Sequence, residues 1–211
     1  VWVETREGNP RNSMNLGMGM LKSLDGGRTW KNMGLAATKT VHRILIEPMN
    51  PEVVYVGAMG DPWTPNADRG LYKTTDGGLH WEKILYTNEQ SGIADLVMDP
   101  SNPNKILAAV YEHRRTPYSF TSGGPGSGLF MTYDGGKSWK KLSEQDGIPS
   151  GALGRIGLAI APSDPNRIYA KVEAKTNALY RSDDGGLKWY NINDNPISTT
   201  KWPLFLQDLT R

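Results

Sequence analysis

Short apolar runs separated by turn-forming clusters set the rhythm of this chain, and no helix is needed to account for any of it. The run Arg43-Ile44-Leu45-Ile46 is β-branched and stops at Glu47-Pro48-Met49-Asn50-Pro51. Val53-Val54-Tyr55-Val56 follows, then a polar loop over 59–69, then Gly70-Leu71-Tyr72-Lys73 and Trp81-Glu82-Lys83-Ile84-Leu85. This order predicts four strands joined by a tight turn, a long loop and a second tight turn. It returns over 95–98, 106–111, 128–130 and from Trp139, with the turn at 99–103. It returns again over 157–160, 168–170, 178–180 and 189–190, with the turn at 161–165.

The predicted fold is all-β, a β-propeller or part of one, with four-stranded antiparallel blades in 41–87, 92–144 and 152–192. Val1-Trp2-Val3 corresponds to a second strand, so strands two to four of an earlier blade are expected in 1–34. Trp202-Pro203-Leu204-Phe205-Leu206 reads as the first strand of a further blade in 199–211. Both ends then fall inside a unit, and a fragment of a larger propeller is expected, with the remaining blades of the same polypeptide as its first partner. The alternative is a closed four-bladed ring completed by the terminal strand.

Each unit carries the same eight-residue signature, Ser/Thr-x-Asp-Gly-Gly-x-x-Trp, about every 50–60 residues. Its fixed positions are Ser23, Asp25, Gly27 and Trp30; Thr74, Asp76, Gly78 and Trp81; Thr132, Asp134, Gly136 and Trp139; and Ser182, Asp184, Gly186 and Trp189. Between antiparallel strands, a carboxylate and a hydroxyl can accept the N–H groups of their own turn, and paired glycines can take positive φ. The indole is expected to cover the turn and find a partner for its N–H. A structural reading outweighs a catalytic one, since one active centre does not need its acid in every repeat. Gly136-Lys137-Ser138 resembles the end of a phosphate loop, yet the first glycine of that motif would fall at Met131. The glycine-rich run 123–128 lacks dinucleotide spacing and reads as a flexible loop.

Composition narrows the chemistry by exclusion. Lysine and arginine total 24 against 22 acidic residues, so no global field favours nucleic acid or an anionic membrane. No apolar run approaches the length of a membrane span, so no membrane insertion is expected. Cysteine is absent, which removes disulfides and thiolate metal sites. Neither a cofactor nor a metal is expected.

The repeated signature is similar to the Asp-box of BNR-repeat propellers. Taken with the Asn-Pro turns, with 7–13 and with Arg114-Arg115-Thr116-Pro117-Tyr118, the chain resembles the sortilin-like (VPS10-type) bacterial exported proteins, often labelled glycosyl hydrolases. That resemblance implies an extracytoplasmic protein of the periplasm, cell surface or medium. It also implies boxes that are structural and remote from the ligand site.

Antiparallel order places the Asn/Asp-Pro turns and the boxes at one end of every blade and the long loops 4–17, 59–69 and 112–127 at the other, where function is expected. Those loops carry Arg11, Asn12, Trp63, Asn66, Arg69, His113, Arg114, Arg115, Tyr118 and Phe120. Aromatic faces and guanidinium donors of this kind suit a protein or carbohydrate ligand. An interaction propeller without catalysis is the leading expectation. The alternative is a glycoside hydrolase of the sialidase or xyloglucanase type, its site completed by blades outside this chain. Glycosidases use two carboxyl groups, and Asp95 with Glu112 is the conceivable pair. The sialidase Arg-Ile-Pro is not matched: Arg43-Ile44 continues into Leu45 and Arg155-Ile156 into Gly157.

Overall fold

The computed structural model describes residues 1–5 and 17–193. The strand expected in 199–211 and the candidates Arg11 and Asn12 lie outside the described residues. The chain divides into two units, Val1–Ile93 with Arg114–Thr121, and Ala94–His113 with Ser122–Arg211.

In the first unit, β1 (Trp2–Glu4), β2 (Met20–Lys22) and β3 (Lys31–Asn32) form a three-stranded antiparallel sheet. Four strands follow as a meander: β4 (Val41–Ile46), β5 (Val54–Ala58), β6 (Gly70–Thr74) and β7 (Glu82–Leu85). Every residue of β5 is buried, whereas β7 starts exposed, as expected for an inner and an outer strand. The core joins Val41, Val54, Val56 and Ala58 to Met20 and Met33, with Trp2 and Trp81 packed against it.

In the second sheet group, β8 (Ser91–Asp99) pairs with β9 (Asn102–Arg115), which continues the sheet through β11 (Gly128–Thr132) to β12 (Lys140–Lys141). The last sheet is the meander β13 (Ile156–Ala161), β14 (Asp164–Val172), β15 (Ala178–Ser182) and β16 (Tyr190–Asn191). Leu107, Leu129, Met131, Ile156 and Ile168 centre the apolar core of the second unit. Two short 3-10 turns, Ala36–Thr38 and Glu144–Asp146, are the helical elements of the described residues.

One expected loop is largely a hairpin. β9 runs on to Arg115 and the chain returns as β10 (Phe120–Ser122), so 112–127 is not irregular throughout. The cause is local turn chemistry at Thr116-Pro117-Tyr118-Ser119, where proline fixes φ at the first central position. The Thr116 N–H donates to Ser119 O at 2.9 Å, and the Ser119 N–H donates to Thr116 Oγ1 at 2.9 Å.

The repeated signature builds one turn four times. At the first, Asp25 Oδ1 accepts the N–H groups of Arg28 at 3.0 Å and Thr29 at 2.9 Å, while Ser23 Oγ accepts the Gly27 N–H at 2.7 Å. Asp76 and Asp184 repeat this with Leu79 and His80, and with Leu187 and Lys188; Asp134 takes the Ser138 N–H. Both glycines of every turn have φ between about 69° and 97°, which a side chain would strain. The neighbouring proline turn of the same sheet is tied in through backbone: Gly77 N–H to Glu52 O at 2.9 Å, Gly135 to Asn104 at 3.0 Å and Gly185 to Asn166 at 2.8 Å. In three of the sheets, therefore, the two tight turns share one end, and the loop after the second strand opens at the other.

The hydroxyl is the buried part of the turn. Thr74 is 1% exposed, and its Oγ1 accepts the Gly78 N–H at 2.9 Å and donates to Asp76 Oδ1 at 2.8 Å. Thr74→Val keeps the shape and orphans a buried N–H, so it should lower unfolding free energy by about 1–3 kcal/mol. Urea denaturation at neutral pH measures this, and a curve superimposable on the wild type contradicts the role given to the hydroxyl.

Candidate functional site

The loop after β5 is shaped from inside by one arginine. Arg69 is 1% exposed; its guanidinium donates to Asp61 O at 2.5 Å, Gln90 O at 2.9 Å and Thr64 O at 3.5 Å. Five fixed N–H groups suit Arg for gathering carbonyls that a loop leaves without strand partners. Asn66 adds bonds to Asp61 O and Thr64 O, and the Asp61 carboxylate accepts Lys39 Nζ at 2.8 Å and the Trp63 N–H at 2.9 Å. Burial opposes ionisation of Asp61, yet the Lys39 and Trp63 bonds hold its carboxyl below the usual range. Arg69, expected among the ligand-facing residues, is instead the loop's internal clamp. Trp63 is held half-buried beside it.

The tip of the β9–β10 hairpin belongs to this same unit and is anchored on that loop: the Arg115 N–H donates to Pro62 O at 3.1 Å. The Arg115 guanidinium lies over the Phe120 ring, 5.0 Å from its centre. Tyr118 at the turn is 98% exposed, and Arg114 is also exposed. The Pro62 bond thus joins the Arg115–Phe120 pair to the loop that carries Trp63, while Arg114 and Tyr118 are exposed on the hairpin. His113 is not with them. It is 2% exposed in the second unit, stacked on Tyr111 at 4.9 Å with 11° between the rings.

Both carboxylates of the conceivable pair accept backbone N–H groups. Asp95 is 4% exposed, its Oδ1 accepting the Leu96 N–H at 2.9 Å and its Oδ2 the Leu158 N–H at 2.8 Å. Glu112 Oε2 accepts the Gly126 N–H at 2.8 Å. That bond corrects a second expectation: the glycine-rich run is pinned, with Gly124, Gly126 and Ser127 buried and Ser127 Oγ accepting the Glu112 N–H at 2.8 Å.

Residues 19–150 match the family Sortilin-Vps10, described as sortilin, neurotensin receptor 3, and this is more than half of the chain. The chain belongs to the Sortilin-Vps10 family. Among curated proteins it is similar to xyloglucanase Xgh74A of Acetivibrio thermocellus, 26% identical over an alignment 182 positions long that covers 74% of this chain and 20% of that protein. A probable oligoxyloglucan-reducing end-specific xyloglucanase of Neosartorya fischeri is 25% identical over a gapped alignment 225 positions long that covers 92% of this chain and 25% of that protein. Two solved structures superimpose with a TM-score of 0.61: an ancestral GH74 enzyme, 22% identical, covering 85% of this chain and 22% of that one, and a GH74 enzyme of Niastella koreensis, 19% identical, covering 82% and 26%. This likeness shows the fold, part of a β-propeller. The chain spans a fifth to a quarter of the length of the relatives it matches.

One group of this Sortilin-Vps10 chain was missed among the ten candidate residues. Glu4 ends β1, and its Oε2 is buried without a hydrogen-bond partner. Lys39 and Thr38 line the narrow crevice beside it. Burial pushes the Glu4 carboxyl up to about 7, against the opposing pull of the Arg43 charge. The alternation Trp2-Val3-Glu4 held the signal, since it puts Glu4 on the face that carries Trp2 into the core.

A carboxyl raised on folding contributes stability that is complete below its ordinary value near 4.5 and is lost as pH climbs through about 7. Glu4→Gln, neutral at every pH, should therefore match the wild type at pH 4.5 and be the more stable of the two at pH 8. Denaturant midpoints across that range test the sign, and a difference that does not grow with pH refutes the assignment.

Proposed function

We propose that this chain is the carbohydrate-recognising, non-catalytic part of an exported propeller, and that it binds through the hairpin tip and the loop that anchors it. The observation that carries the reading is the Arg115 N–H bond to Pro62 O, which joins the loop of Trp63 to a hairpin that presents the exposed Tyr118 and Arg114. A sugar ring offers an apolar C–H face and a rim of hydroxyls. An exposed aromatic face takes the first and a guanidinium donates to the second. Similarity to xyloglucanases supports a plant-type β-glucan as ligand. The carboxylates favour recognition over cleavage, because Asp95 and Glu112 are held by backbone N–H groups.

A second reading has one observation in its favour. The curated relatives are xyloglucanases several times longer than this chain, so the carboxyl pair of a hydrolase would sit in other blades of the polypeptide.

Calorimetric titration of the full polypeptide with xyloglucan oligosaccharides tests the first reading. Tyr118→Ala and Arg114→Glu should each weaken binding about tenfold, roughly 1.4 kcal/mol, with melting unchanged. Undiminished affinity in both variants removes the hairpin tip from the ligand site. New reducing ends released from xyloglucan by the same preparation would favour the hydrolase.

A further inference from the structure

The second unit holds a cavity of about 610 Å³ that none of the ten candidate residues lines. It opens between the pinned glycine-rich run and the connection from β12 to β13. Its floor is apolar, Leu142, Ile148 and Leu153, all of them buried. Its rim carries Glu144, Gln145 and Ser150, which are exposed, and whose carboxylate, carboxamide and hydroxyl have no partner among the described residues.

Both walls are fixed before any ligand arrives. On one side Glu112 holds the Gly126 N–H, Ser127 holds the Glu112 N–H, and Lys141 Nζ donates to Pro125 O at 3.0 Å. On the other, Asp146 is 7% exposed and accepts the Ser143 N–H at 2.9 Å and Lys140 Nζ at 2.7 Å. The Lys140 bond, against the cost of burial, holds the Asp146 carboxyl below the usual range. The Trp189 N–H closes the same wall on Asp146 O at 2.8 Å, and Lys188 Nζ reaches Gln145 O at 2.6 Å. The fourth repeated turn thus braces the cavity, and Gly147 is required there because a Cβ would lie 2.0 Å from Trp189 O.

We propose that this cavity is a second carbohydrate subsite, taking one or two neutral sugar rings. Its volume lies within the roughly 300–1,000 Å³ of small-ligand sites. A sugar's C–H face meets the Leu142, Ile148 and Leu153 floor, while its hydroxyls donate to Glu144 and Gln145 and exchange hydrogen bonds with Ser150. An acidic sugar is disfavoured by the Glu144 carboxylate at the rim, because the Lys141 ammonium is already directed at Pro125 O and the Lys188 ammonium at Gln145 O. Walls braced in this way lose little freedom when a ligand binds, so only the exposed rim side chains must be ordered. The site shares no residue with the hairpin tip and does not depend on that assignment.

The test is saturation-transfer NMR and calorimetry on the full polypeptide with cellotetraose and a xyloglucan heptasaccharide. A Tyr118→Ala background removes the hairpin tip from the measurement. Binding should persist there, weaken about tenfold in Gln145→Ala and disappear in Ser150→Trp, which fills the cavity from an exposed position. Circular dichroism confirms that both variants are folded. No saccharide binding in the Tyr118→Ala background, or binding untouched by Ser150→Trp, overturns the proposal. So does an extended peptide that occupies the cavity when neither saccharide does.

Discussion

Sheets of three to five strands have many backbone groups at their ends, and the fold depends on where the N–H groups of its tightest turns are satisfied. A single carboxylate and a single hydroxyl, two residues apart, settle this at each of the four repeated turns. The hydroxyls of Ser23, Thr74, Thr132 and Ser182 are buried, while the carboxylates face water. Hydrogen bonds from the turn hold the Asp25, Asp76, Asp134 and Asp184 carboxyls below their ordinary range, so these turns weaken as pH falls toward strong acid. Glu4 has the opposite sign and weakens its sheet as pH rises. The two effects bound a window of best stability between them.

With one end of each sheet fixed in this way, variation is confined to the other. The loop after β5 and the excursion between β9 and β11 start from strands whose register is already set. Each is then held by a few side chains, with Arg69 at the centre of one and Glu112 of the other. Both of these residues have the composition of a binding site and the use of a scaffold. What reaches solvent beside them is less conspicuous in sequence: Tyr118 and Arg114 in the first unit, Glu144, Gln145 and Ser150 in the second.

Most strands were legible because a short apolar or β-branched run and the turn chemistry beside it agreed. Val54 to Val56 is apolar throughout and lies between a proline turn and a long loop, and it forms β5. The extension of β9 was not legible, because His113, Arg114 and Arg115 lack the apolar alternation of a half-buried strand. Its second half is stabilised by a turn and by Pro62, fifty residues away in sequence. The fate of Arg69 was hidden for a related reason. A guanidinium surrounded by carbonyls and a guanidinium facing a ligand have the same neighbours in sequence, and only burial separates them. Likewise a run of glycines shows no stiffness of its own when its partner, Glu112, lies fourteen residues earlier.

The tryptophans give the repeat a further property. Trp30 and Trp189 return their indole N–H to their own turns, at Gly27 O and Gly186 O, but Trp81 donates at 2.7 Å to Met33 O beyond β3 and sets its ring edge-on against Trp2. The period written in the sequence is therefore one sheet long, while the smallest piece able to satisfy its own donors in the first unit is a pair of sheets. Duplicating or excising a repeat at its sequence boundary would cut through that pair. A viable splice must pass on the far side of the indole.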